Sequence, residues 1–447
     1  MNTTLDLHRL IEDEGANGRF RVHRDLFTSP EIFDLEMRYI FEAGWVFVAL
    51  ESQIAKPFDY VCTQIGRQPV IVTRDENGQV HVLFNSCRHK GARIAQREAG
   101  NAPLFVCPYH SWTYRADGRL RGIKDRAGGL YPPAFETEDH DLQRAARVEA
   151  YRGLIFASLN ENVESLADYL GDSKVFIDLA MDQGEHGMEL VPGRTYYTFD
   201  ANWKLQMENG IDPYHLTSAH QSFIRIIDER KTAASSLAAI KSRDFRQSVI
   251  AESGAFAFRN GHGAVWIDNL TPEQKPIHRT IDALRARVGE HRARWMLNFR
   301  NLTLFPNLQL ADSESMLLRV IKPLSPTRTE MRVYCMAPIG EDPEARRLRL
   351  RQHEDFFNAT GLATPDDTAL YEECQNGFLA RHAGNLQGYD RGEGAARDRA
   401  DKAAQALGIT PERSVTGAFA IQSEIQFRPL YRRWRAMMQA GRAREAA

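Results

Sequence analysis

Cysteine is scarce in this chain, charge of either sign is nearly cancelled, and no apolar run is long enough to cross a bilayer. Five cysteines in 447 residues do not make a disulfide framework. Cys62, Cys335 and Cys374 stand alone and read as small buried hydrophobes. A formal net charge of −2 gives no reason to expect nucleic acid or an anionic membrane as partner. The longest apolar stretches, such as Trp45-Val-Phe-Val-Ala-Leu50, have strand length and fall far short of the ~20 residues a spanning helix needs. The first twenty or so residues are polar and acidic, without the apolar core of a signal peptide, so a cytoplasmic location is expected. There is no internal repeat, no nicotinamide or flavin motif, and no phosphate-cradling glycine loop; Gly261-His262-Gly263 does not fit one. Electrons for any redox chemistry must therefore come from a separate protein.

What remains is an ordinary globular composition, 43% apolar and 26% charged, in a chain long enough for two or three domains. Thr28-Ser29-Pro30-Glu31 offers a capping hydroxyl followed by proline at the first helical position, and a helix is expected from there to about Gly44. From Trp45 to about Leu159 the pattern changes to short β runs. Val70–Thr73 and Val80–Phe84 flank Asp75-Glu-Asn-Gly78, a hairpin cue, and Asp117-Gly118 is a second. Further on, 202–223 carries helical spacing. Strands are expected at 192–200, 301–311, 316–323 and 329–337, and helices at 341–359 and 365–382. Strands and helices mixed without a βαβ rhythm point to an α+β fold on an antiparallel sheet. Residues 390–407 are charged and alanine-rich, so an exposed segment is expected. The tail 429–438 reads as a docking helix whose arginines form a solvated face or a subunit contact. The expected division is a helical segment 1–44 packing on the catalytic domain, a β domain 45–160 and the catalytic domain 161–447.

Two sets of residues carry chemistry. The first is Cys87-x-His89, seventeen residues, then Cys107-x2-His110. Each pair fits a tight loop, so two hairpin tips can bring two thiolates and two imidazoles to one point. A zinc site would hold all four around one ion. A Rieske [2Fe–2S] centre needs two cysteines on one iron and two histidines on the other. Spacing favours the Rieske centre, because zinc fingers usually pair Cys with Cys and His with His. Here each loop gives one of each and can clamp a dinuclear cluster from opposite sides.

The second set lies in Asn202–His220. If the segment is helical, Glu208, Asp212 and His215 share a face. His215 and His220 would stand about 140° apart on a regular helix, so both can bind one ion only if the helix is distorted or ends between them. With one carboxylate they would form the 2-His-1-carboxylate triad of non-haem Fe(II) oxygenases. That carboxylate should come from elsewhere; Thr364-Pro-Asp-Asp367 is the best source, although both Asp366 and Asp367 also suit a helix start. Two polar histidines satisfied by their surroundings is the plainer alternative.

Taken together, the motifs resemble those of the α subunits of Rieske non-haem iron ring-hydroxylating oxygenases, over nearly the full chain. The resemblance implies that Cys87, His89, Cys107 and His110 hold the cluster. It also implies that His215, His220 and Asp367, with Asp366 as fallback, hold a mononuclear Fe(II). It implies a Rieske β domain followed by a helix-grip domain with a long antiparallel sheet. It further implies a small β subunit in an α3β3 assembly, and a ferredoxin or reductase as donor. Asp212 is implied as an electron bridge to a cluster histidine, His110, of a neighbouring subunit, and Asn209 as a residue near the iron. The spacing Glu208-Asn-Gly-Ile-Asp212 looks like the branch acting on benzoate, anthranilate or salicylate. Ser111 departs from the family, which commonly has glycine there. The expected reaction is (di)hydroxylation of an aromatic ring with O2. The rivals are a Rieske monooxygenase or demethylase and a pure electron carrier. Asn209, Met207 and the strand Asn301–Leu310 are candidates for the pocket, although residues of these types are more often ordinary core or capping.

Overall fold

The computed structural model describes residues 7–15, 18–232, 246, 250–313, 315–380, 382 and 384–446. It divides into two compact units, Met37–Leu166 and Met1–Glu36 with Ala167–Ala447. The boundaries differ from those expected at Gly44 and 160. Leu159 N donates to Glu42 O (3.2 Å) and Arg67 N to Glu42 Oε1 (3.2 Å), which holds the end of the first helix to the smaller unit. At the other boundary Trp45 Nε1 donates to Glu164 O at 2.8 Å.

The smaller unit is antiparallel throughout. Gln68–Arg74 pairs with Val80–Phe84 across Asp75–Gly78, where Gly78 takes φ 84°, a conformation that glycine adopts without cost. Thr113–Arg115 pairs with Leu120–Gly122 around Asp117-Gly118 in the same way. Val46–Leu50, buried along its length, pairs with Leu154–Ser158.

The larger unit is built on a nine-stranded antiparallel sheet. The expected strand 301–311 is two strands, Phe299–Leu304 and Leu308–Asp312, because Phe305-Pro306-Asn307 makes a turn and proline cannot donate to a ladder. Met316–Ser325 and Arg328–Pro338 complete that run. Side chains alternate across the sheet, so Gln309, Ala311, Leu317 and Arg319, paired as Ala311↔Leu317 and Gln309↔Arg319, share one face. Gln309 Nε2 donates from that face to Gln206 O at 2.8 Å, which places the helix Trp203–Asn209 over it.

A buried carboxylate ties this helix to the chain ends. Glu36 accepts from Trp203 Nε1 (2.8 Å), Lys204 Nζ (2.5 Å) and Trp434 Nε1 (2.7 Å), and no side chain of the four retains exposure. Burying such a pair is tolerable because both carboxylate oxygens are met by donors. Two charged segments also carry ties to the rest of the unit. Within 390–407, Glu393 is buried against Arg413 and Arg428, and Asp401 caps the helix Lys402–Leu407. In the C-terminal helix Arg428–Ala446, Arg428 pairs with Asp390 and Glu393, while Arg432 and Arg435 pair with Asp13. These arginines are intrachain ties, since each meets a carboxylate fixed by the same fold. Among the described residues no helix is long and apolar enough to cross a membrane.

Candidate functional site

In the smaller unit the two loop tips are built alike. Gly91 N donates to Cys87 O (2.9 Å) and Ser111 N to Cys107 O (3.0 Å), each closing a turn at a left-handed residue, φ 73° and 57°. Ser111 thus occupies a conformation that favours glycine, which costs an L-residue roughly 1–2 kcal/mol. Cys87 and Cys107 are buried and form no disulfide. His89 and His110 lie outward of them with ring centroids 4.5 Å apart. Two thiols inside and two imidazoles outside form a donor set that fits one dinuclear cluster. Three supporting residues had no local signal. Trp112 stacks on His89 at 5.0 Å and 4°, Tyr114 Oη lies 3.3 Å from Cys87 Sγ and accepts from Arg88 N at 3.1 Å, and Asn85 Oδ1 accepts from Ile94 N and Ala95 N.

In the larger unit the helical segment 202–223 is broken, the condition for both histidines to meet one ion. Trp203–Asn209 ends at Gly210, Pro213–His215 is a 3-10 turn, and Leu216–Ala219 is separated from Gln221–Thr232 by His220 at φ −94°, ψ 39°. The break changes the shared face. Glu208 stays on the first helix and turns to Tyr389 Oη and Tyr431 Oη, both of which donate to its Oε1, whereas Asp212 and His215 follow the new direction. Burial pushes the Glu208 carboxyl up to about 7 against those two donors.

The same break lets both histidines meet one carboxylate. Asp367 Oδ1 lies 3.4 Å from His215 Nε2 and 3.4 Å from His220 Nε2. One donor atom from each of the three falls within 4.8 Å of the others. Asn209 Nδ2 reaches the same spot, 3.3 Å from His215 Nε2 and 3.3 Å from Asp367 Oδ1. Asp367 is delivered by the helix Thr364–Gly377, pinned where Thr364 Oγ1 donates to Phe357 O (3.0 Å) and Gln375 Oε1 accepts from Asn202 N (3.0 Å).

Each histidine has a second carboxylate on its outer nitrogen. Asp212 Oδ2 is 3.4 Å from His215 Nδ1, an ion-pair approach without a formed hydrogen bond, while its Oδ1 accepts from Tyr214 N and caps the turn. Asp366 Oδ2 is 3.4 Å from His220 Nδ1 and accepts from Ser222 Oγ at 3.0 Å. The adjacent aspartates thus stand in different places, Asp367 between the inner nitrogens and Asp366 outside. Burial disfavours the charged forms, but Asp212 and Asp367 raise the His215 imidazolium to about 10. Burial likewise opposes ionisation of Asp367, and His215 and His220 outweigh it to hold the carboxyl low. Two imidazoles and an ionised carboxylate converging on one point, with outer carboxylates fixing the rings, are a donor set that fits a divalent iron with open positions. Of the pocket candidates, Met207 is wholly buried, and Asn301 donates from Nδ2 to Gly210 O (3.0 Å).

Comparison with known proteins gives two family matches, the "Ring hydroxylating alpha subunit (catalytic domain)" over residues 189–440 and the "Rieske [2Fe-2S] domain" over residues 44–133. Toluate 1,2-dioxygenase subunit alpha of Pseudomonas putida is 39% identical over 419 residues, covering 93% of this chain and 91% of its own. Anthranilate 1,2-dioxygenase large subunit of Acinetobacter baylyi is 41% identical, covering 83% and 80%. The crystal structure of naphthalene 1,2-dioxygenase from Rhodococcus sp. superposes with a TM-score of 0.80 at 26% identity, covering 94% of each chain.

Proposed function

This chain belongs to the family of ring-hydroxylating oxygenase alpha subunits, and we propose that it acts there on an aromatic carboxylic acid such as benzoate, anthranilate or salicylate. It carries the family's Rieske cluster and mononuclear iron. The observation that carries the reading is Asp367 Oδ1 set 3.4 Å from the Nε2 atoms of both His215 and His220. The substrate class is supported by the names of the toluate and anthranilate relatives, at 39% and 41% identity, against 30% and 28% for naphthalene 1,2-dioxygenase large components.

When bound, the iron groups supply the electron storage and oxygen chemistry that no side chain can provide. The chain's own residues do the rest. Cys87, His89, Cys107 and His110 would hold the cluster, and His215, His220 and Asp367 the mononuclear iron. Asp212 and Asp366 keep each imidazole turned so that its Nε2 faces inward. Asn209 sits beside both ligand types, placed to steer a small molecule at the open positions. Leu216, Phe223, Phe356, Phe357 and Ala363 form an apolar cluster flanking the histidines and Asp367, which excludes water from the reacting ring.

Asp212 is assigned as the electron bridge, its carboxylate spanning from His215 to His110 of a neighbouring subunit. A small β subunit in an α3β3 assembly and a separate ferredoxin or reductase complete the proposed system, in the cytoplasm, with NAD(P)H as the ultimate reductant. Product analysis with 18O2 across benzoate, anthranilate, salicylate and unsubstituted arenes tests the proposal. Two labelled oxygens in a diol acid are expected, and exclusive turnover of neutral arenes, or release of formaldehyde from a methylated substrate, would count against it.

A further inference from the structure

Arg319 is a buried cation that forms no ion pair among the described residues. It projects from the strand Met316–Ser325, is 5% exposed, and among the described residues meets no carboxylate within ion-pair distance. Its Nε is cut off from solvent with no hydrogen-bond partner. Its Cζ lies over the ring of Phe357, 5.0 Å from the centroid. Other buried arginines of this chain show the usual solution: Arg349 pairs with Glu341, Arg300 with Asp312, and Arg413 with Glu393. An unpaired buried charge is costly and is retained where something else completes it.

Its position says what that is. Two residues earlier on the same face, Leu317 packs with Leu216, Phe356, Phe357 and Ala363. Leu216 follows His215, and Ala363 begins the turn that delivers Asp367. Opposite Arg319 stands Gln309, bonded to the helix that ends at Asn209. The guanidinium charge is felt at Asp367, Tyr371 and His353. Tyr371, one turn beyond Asp367, has a buried hydroxyl that also lacks a partner. Among the described residues, a cation outside any ion pair, an aromatic ring beneath it and a hydroxyl without a hydrogen bond therefore border the apolar cluster beside the proposed iron ligands.

We propose that Arg319 anchors the carboxylate of the aromatic acid, its Nε–H and an Nη–H pairing side-on with the two oxygens while the ring lies among Phe357 and its apolar neighbours. This deepens, and rests on, the reading of the substrate as an aromatic carboxylic acid. A planar fork matches a carboxylate better than an ammonium does, and the pairing fixes which ring carbon faces the iron. The step is binding only; no bond is made or broken by Arg319.

The test compares benzoate with benzamide, its uncharged isostere, in equilibrium dialysis of the purified holoprotein, alongside KM and kcat for each. Wild type is expected to prefer benzoate. Arg319→Gln should reduce benzoate affinity by about 10- to 100-fold and shrink the benzoate-to-benzamide ratio, with the loss in Kd and KM more than in kcat. Arg319→Lys should fall between, and it decides the matter should the glutamine variant fail to fold, as judged by its Rieske spectrum and melting temperature. An undiminished ratio in a folded glutamine variant, or benzoate binding in the lysine variant equal to wild type, overturns the anchor and leaves the aromatic-acid reading standing. Wild type that binds neither benzoate nor other aromatic acids, yet oxidises neutral arenes, overturns the substrate reading itself.

Discussion

Within the smaller unit, four ligand-type side chains fall between Cys87 and His110, on two turns of matching design, with the thiols buried and the imidazoles toward the surface. The larger unit assembles its set from His215, His220 and Asp367, the last carried on a separate helix, with His220 only 1% exposed. The difference follows from what each site must meet. A cluster that exchanges electrons with another protein needs ligands near the surface and can be built from local loops. A site that handles oxygen needs exclusion of water, so its ligands converge in the interior, and interiors are made by contacts distant in sequence. If this contrast is right, damage to one site should leave the other intact.

The largest effect should come from Cys107→Ser combined with His110→Ala, which removes one ligand of each kind. The reduced Rieske EPR signal and all turnover should vanish while the larger unit keeps its iron; a normal signal would reject the cluster assignment. Next in size is Asp212→Ala. Both metal sites should stay occupied and the cluster should still be reduced by its donor. Stopped-flow reoxidation with substrate and oxygen should slow by orders of magnitude, and near-normal reoxidation would return Asp212 to a capping role. Asp366→Asn should be milder. With the outer carboxylate on His220 weakened, iron affinity should fall by roughly 10- to 100-fold, read by chelator competition. An unchanged affinity would mean that the 3.4 Å approach does not orient the ring. Smallest is Ser111→Gly, which relieves the left-handed backbone at φ 57° and should stabilise the smaller unit by about 1 kcal/mol or less. A lowered melting temperature would show that the serine hydroxyl matters more than the backbone.

The same contrast explains what could be read from the sequence. The Cys-x-His and Cys-x2-His pairs, both hairpin turns and the two histidines were legible because each depends on residues close in the chain. Asp367 was nameable only through family resemblance, since local pattern makes Asp366 and Asp367 equal helix-start acids. The turn at Phe305-Pro306-Asn307 reads as continuous strand in the sequence because apolar residues run through it. The roles of Asp366, Trp112 and Arg319 had no local mark at all. Each depends on where a distant element lands: the His220 ring, the His89 loop, and the packing of Phe357 on the sheet. Composition reads 390–407 as exposed, which holds for most of its residues, but it gives no sign that Glu393 is buried by two arginines well downstream.

The independence of the two sites is tested most directly by one preparation of Asp367→Ala, reconstituted under reducing conditions and examined for iron content and Rieske EPR together. Iron should drop from about three atoms per chain to about two, with the Rieske signal at wild-type intensity and no product formed. Loss of the Rieske signal along with the third iron, or retention of all three with full turnover, would contradict the account.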